Sequence, residues 1–189
     1  SIFSTYAELT APNGRRIHFL SQAGVPDAIL FRVRGVFRQH LKSAPGSTLG
    51  SDKSAIFNRI ASKETTVAVY ENSATFDPMD ADVAVFMELF DGIVASVDAS
   101  GVVQEGSTSY LLPDPAIDDT LNATVQVALR FGISEGSPQF QSDLTTAALN
   151  ALTNDLYRPD PGLSQGEIDD AYLGLALSVY YGVWGHDPN

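Results

Sequence analysis

The stretch that most constrains what this chain can fold into is Ile29 to Lys42, Ile-Leu-Phe-Arg-Val-Arg-Gly-Val-Phe-Arg-Gln-His-Leu-Lys. Successive side chains of a β-strand point to opposite faces. On that period Ile29, Phe31, Val33, Phe37 and Leu41 share one face, and Arg32, Arg34, Arg38, His40 and Lys42 share the other. The segment is expected to be an amphipathic strand with one face in a core and a cationic face outside. An ordinary strand with solvated arginines carries the same pattern, so a functional reading depends on the rest of the chain.

Charge is the first support. The formal net charge is −12, which looks hostile to nucleic acid until it is divided along the chain. Residues 1–63 carry nine Lys/Arg against three acids, giving +6, and residues 64–189 carry two against twenty, giving −18. A chain segregated in this way can present one basic surface while another stays acidic.

Residues 1–189 are expected to form one domain, long enough to bury a core without covalent staples. There is no cysteine, so neither a disulfide framework nor a zinc-thiolate site is available. No signal peptide is visible, and Ser1 fits a chain that has lost its initiator Met. The longest apolar run, Ala171 to Trp184, is interrupted by Gly174, Ser178 and Gly182. It falls short of the roughly 20 residues that span a bilayer, and a soluble protein is expected.

In chain order, Thr5 to Pro12 and Arg15 to Ser21 flank Asn13-Gly14, which predicts a β-hairpin with a type I′ turn. After the Ile29–Lys42 strand, Ser43 to Asp52 is rich in Gly, Pro and Ser and reads as a loop. Ala55 to Glu71 is β-prone with imperfect alternation. Val67 and Val69 fit a core face, but Arg59 and Lys63 fall on it too, so either a bulge intervenes or the strand starts late. Ala81 to Phe90 is expected to be a strand, and Ile93 to Leu112 holds short β-prone pieces. In Leu121 to Ile133, Val125, Val127, Leu129, Phe131 and Ile133 alternate with Thr124, Gln126, Ala128 and Arg130, the cleanest strand pattern of the chain.

The period then becomes helical. Ser137-Pro138 is an N-cap followed by proline at the first helical position, and Leu144, Ala148, Ala151, Leu152 and Leu156 fall at helical spacing. Ser164 and Glu167 have capping-box spacing for a second helix from about Gln165 to Tyr181. Its second half is apolar nearly all round, so burial on more than one side is required, and a partner subunit is the economical source.

Nucleophilic catalysis lacks a signal: there is no Cys, no Gly-x-Ser-x-Gly elbow, and the three histidines are scattered. Asp77, Asp80 and Asp82 lack calcium-loop order, so no metal and no cofactor are expected. If the apolar sides of the strands pack under the helices, Arg32, Arg34, Arg38 and His40 share the open sheet face with Thr66, Tyr70, Thr124, Gln126 and Arg130. Cations for phosphate, an aromatic for stacking and polar hydrogen-bonding groups are what RNA recognition on a sheet requires. Asp82, Phe86 and Glu88 would share that face, and Glu88 opposes phosphate unless an arginine pairs it.

The order of elements, hairpin, meander, two C-terminal helices, resembles the coat proteins of the single-stranded RNA bacteriophages, the leviviruses. His18 to Pro26 is similar to the family's segment from the hairpin into the first sheet strand. Ala123 to Val127, through Ser134, to Leu144–Leu152 is similar to its last strand and first helix. The resemblance implies an α+β fold: an N-terminal β-hairpin, an antiparallel meander sheet and two helices packed on one face. It implies a homodimer, with Leu144, Ala148, Leu152, Tyr172, Leu175 and Val179 at the interface, assembling into an icosahedral shell in the host bacterial cytoplasm. It also implies RNA bound on the inner sheet face by Arg32, Arg34, Arg38, Thr124, Gln126 and Arg130. A structural subunit of another virus is a related expectation. The alternative from a different class is a non-catalytic carbohydrate- or ligand-binding β-rich module, using Tyr110, or Trp184 with Tyr180 and Tyr181, as a stacking platform.

Overall fold

The computed structural model describes residues 3–48, 50–72, 94–102, 120, 123–124 and 127–180. Strands β1 (Phe3–Thr10) and β2 (Arg16–Gln22) lead into helices α1 (Asp27–Leu41) and α2 (Ser54–Ser62). Strands β3 (Thr66–Tyr70) and β4 (Val94–Asp98) follow, then a π-helical segment (Ala128–Ile133), the helical turn Ser134–Gly136, and helices α3 (Pro138–Thr153) and α4 (Gln165–Tyr180). The protein is α+β, with a four-stranded sheet in the order β1-β2-β3-β4 and helices at the C-terminal end. Among the described residues no helix is long and apolar enough to cross a membrane.

The hairpin forms where the sequence predicts it, with a different turn. Thr10 pairs with Arg16, Ala11 N donates to Arg15 O at 2.8 Å, and Gly14 N donates to Ala11 O at 2.9 Å. This is a three-residue loop, a tight turn closed by Gly14 at φ 81°, rather than the two-residue type I′ form. Asn13 then anchors the tip on α2: its N–H donates to Asn58 Oδ1 at 2.9 Å, and its amide donates to Ser62 Oγ at 3.2 Å.

Beyond the hairpin the sheet departs from an antiparallel meander. β2 and β3 run parallel, from His18 opposite Thr66 to Ser21 opposite Val69, and β3 and β4 are parallel as well. Parallel neighbours need a long crossover between them, and α1 with α2 supply it. The Ile29–Lys42 segment is therefore not a strand: Ile29–Leu41 is the body of α1 and Lys42 its C-cap, with Ile29, Leu30, Val33, Phe37 and Leu41 buried. Those positions lie at helical spacing. Phe37 meets Phe19 of β2 edge to face, 5.3 Å between ring centroids, in a core shared with Ile17, Val67, Val69 and Val97.

Of the two readings of Ala55–Glu71, the late start is the one found: Ser54–Ser62 is helical and the strand begins at Thr66. Every residue of β3 is buried, as expected of a strand with parallel neighbours in the middle of a sheet. The expected Ala81–Phe90 strand lies outside the described residues, and of Ile93–Leu112 the described part holds β4.

The expected Leu121–Ile133 strand is replaced, where it is described, by helical backbone including the π-helical segment. The reason lies in packing. A Cβ on Gly132 would come within 2.7 Å of Ile56 Cγ2, and one on Gly136 within 3.1 Å of the Ala55 carbonyl oxygen and Ile56 Cα. Two glycines four apart on one helical face let this segment press against α2, and β-branched propensity yields to that contact. Gly136→Ala is expected to cost about 2 kcal/mol, because its closest neighbours are backbone and cannot swing aside. Thermal denaturation checks this, and an unchanged midpoint would contradict the close approach.

The two C-terminal helices form as expected. Pro138 opens α3, although the Ser137 side chain makes no capping bond. At α4 the capping box is present: Ser164 N donates to Glu167 Oε2 at 2.8 Å, and Glu167 N donates back to Ser164 Oγ at 3.5 Å. The helices do not pack on the sheet in the expected way. Their apolar contacts gather Phe140, Leu144, Tyr172, Leu173 and Leu177 around Ile133 and Ile56, so α2 and the π-helical segment lie between them and the main core.

Candidate nucleic-acid interface

Because Ile29–Leu41 is helical and Lys42 is its C-cap, the side chains of this segment are redistributed by about 100° per residue. Arg34 and Arg38, four apart, stay together opposite the buried stripe, and Phe31 and Lys42 join them. Phe31 is 47% exposed, Arg38 and Lys42 are exposed and Arg34 is half-exposed. The Arg34 guanidinium carbon stands 5.4 Å from the Phe31 ring centroid, a cation–π arrangement that holds an aromatic face and a cation side by side. Among the described residues no carboxylate makes an ion pair with Arg34, Arg38 or Lys42.

An open cleft of about 500 Å³ lies at the C-terminal end of this face, where α1 and α2 meet. Its lining includes Pro12 of the hairpin tip, Arg38, Lys42, Ser43, Ser54 and Phe57. Two cations, two hydroxyls and an aromatic ring can receive a phosphate with an attached base. Three other cations of the N-terminal half are engaged in ion pairs. Arg59 and Lys63 both pair with Glu135, the latter at 3.1 Å, and Arg16 pairs with Glu8 at 3.2 Å. Those pairs with Glu135 join the basic half to the acidic one.

The remaining expected RNA-binding residues do not share this face. Arg32 lies on the other flank of α1, half-buried. His40 turns toward the core side, where burial chiefly, and the nearby Lys53 charge, push its imidazole pKa below the usual range, so it is no cation for phosphate near neutrality. Thr66 and Tyr70 are buried in β3. Thr124 is buried and its hydroxyl donates to Thr120 O at 2.7 Å. Gln126 lies outside the described residues, and Arg130 sits in the π-helical segment. The arrangement thus keeps Arg34, Arg38 and Lys42 together, adds Phe31, and disperses the rest. Phe31 escapes a strand reading because alternation assigns it to the core.

The expected interface residues divide as well. Leu144 and Ala148 are buried within the chain, and Tyr172 packs edge to face on Tyr157 with ring centroids 5.5 Å apart. Leu152 and Leu175 are half-buried. Val179 is 63% exposed, and Leu149 and Leu156 are exposed too.

Comparison of the chain with protein-family models, with curated proteins and with solved structures finds no match.

Proposed function

We propose that this chain is a structural subunit that binds single-stranded RNA and self-associates, working as a viral coat protein in a particle assembled in the bacterial cytoplasm. The observation that carries the RNA-binding part is the outward face of α1, where Phe31, Arg34, Arg38 and Lys42 combine an exposed ring with cations that have no carboxylate partner among the described residues. Cations track a phosphate backbone and a ring stacks on any base, which favours binding of single strands by charge and stacking rather than by base identity. The remainder of the chain is strongly acidic, so attraction to phosphate depends on this local cluster of cations.

Self-association is supported by the apolar side chains that α3 and α4 leave exposed, Leu149 and Val179 among them. The mixed sheet differs from the meander that the coat-protein resemblance implies, so the proposal rests on surface chemistry rather than on fold. Expression in bacteria followed by size-exclusion chromatography at 260 and 280 nm tests it. The expected result is elution well ahead of a monomer with a nucleic-acid-dominated spectrum. A monomer free of nucleic acid would overturn the proposal.

A further inference from the structure

A second pocket, of about 180 Å³, lies where α1, α2, the π-helical segment, α3 and α4 converge. It is separate from the cationic cleft in its chemistry. Ile56, Ile133, Phe140 and Leu177 supply an apolar lining, and His40, Lys53 and Thr124 are its polar members among the described residues. Its size is close to that of an apolar cavity of about 150 Å³ known to hold benzene.

The polar groups narrow the ligand. The proton of the buried Thr124 hydroxyl is committed to Thr120 O. The Lys53 ammonium donates once, to His40 O at 2.8 Å, and an ammonium carries three protons. No carboxylate among the described residues makes an ion pair with it. A cation with spare donors beside an apolar pocket favours an anionic head on an apolar body. Burial lowers the pKa of Lys53, as it does for a cation drawn away from water without a counter-ion.

We propose that this pocket binds a small apolar monocarboxylate of about six to eight carbons, its hydrocarbon or aromatic end against Phe140 and Leu177 and its carboxylate on Lys53. The site is independent of the RNA-binding face, since neither Arg34, Arg38 nor Lys42 lines it.

Titration of the full chain with hexanoate, hexanol and hexylamine, followed by the methyl NMR signals of Ile56, Ile133 and Leu177, tests the proposal without any substitution. Hexanoate is expected to shift those signals and to bind at least about tenfold more tightly than hexanol, with hexylamine weakest. Lys53→Met should bring hexanoate down to the level of hexanol, and Ala128→Leu, which fills the pocket from the π-helical segment, should remove the binding of both. Methyl signals that do not move, equal binding of hexanoate and hexanol by the unsubstituted protein, or full hexanoate affinity in Lys53→Met would each overturn it.

Discussion

Leu30→Ala is expected to destabilise the protein by about 3 kcal/mol, whereas Phe31→Ala, one position on, is expected to cost no more than about 1 kcal/mol. Leu30 is fully buried and Phe31 is 47% exposed, so truncating the first leaves a cavity in the core while truncating the second removes surface. Phe31 loses its contact with the Arg34 guanidinium, worth about 0.5–1 kcal/mol at an exposed site. The pair separates the two periods that this segment can support. In a strand the order is reversed, because Phe31 would lie with Ile29 and Val33 in the core and Leu30 would face outward. Urea denaturation of the two variants gives the answer, and a larger loss for Phe31→Ala would contradict α1.

Asp169→Ala is expected to have an effect of similar size, about 3 kcal/mol. Asp169 lies in α4 at 3% exposure, and its carboxylate joins α4 to α3. Oδ2 accepts from Gln141 Nε2 at 2.9 Å and from Thr145 Oγ1 at 2.5 Å, while Oδ1 accepts from Gln165 Nε2 at 2.8 Å. Alanine would leave the Gln141 amide donor facing a void and the Thr145 hydroxyl with only the Gln141 carbonyl, at 3.0 Å, and charged acceptors contribute more than neutral ones. Asp169→Asn keeps the shape and one acceptor and is expected to cost about half as much. Hydrogen exchange should show the loss concentrated in α3 and α4. A variant as stable as the parent would mean that the two helices are held by their apolar contacts alone.

How far the fold was legible depends on which residues the two periods treat differently. Positions 29, 33, 37 and 41 are four apart, and a spacing of four is co-facial in both a strand and a helix. They identify the core face of α1 without identifying the element. Only Leu30 and Phe31 discriminate: the odd-numbered set takes Phe31 into the core and leaves Leu30 out of it. The same arithmetic governs the site. Arg34 and Arg38 are four apart and remain neighbours, whereas Arg32 and His40, two from them, swing by about 200°. The basic face was therefore half legible, and its aromatic was hidden in the supposed core.

Signals with a local physical cause transferred well. Asn13-Gly14 places the hairpin turn, Pro138 opens α3, and the Ser164–Glu167 pair caps α4. Alternation in Thr66–Tyr70 correctly placed Val67 and Val69 in the core, but it could not reveal that β3 is central and buried on both sides. That follows from parallel pairing across a long crossover, which no single segment encodes. In Ala128–Ile133 the alternating apolar residues masked a helical signal, the glycines at 132 and 136. Their spacing marks a close crossing only once α2 is there to be crossed.

The central claim is that the outward face of α1 holds RNA by charge and stacking, and the salt dependence of binding tests it most directly. Anisotropy of a labelled single-stranded RNA oligonucleotide should be titrated across ionic strengths for the parent chain and for the Arg34→Ala, Arg38→Ala, Lys42→Ala triple variant. Three phosphate contacts, at about 0.7 counterion each for a single strand, predict a slope of log affinity against log salt shallower by about 2 in the variant. Phe31→Ala should weaken binding with the slope unchanged, by about 1–3 kcal/mol, as loss of a stacked base requires. Identical slopes for parent and triple variant, or no RNA binding by the parent at low salt, would contradict the account.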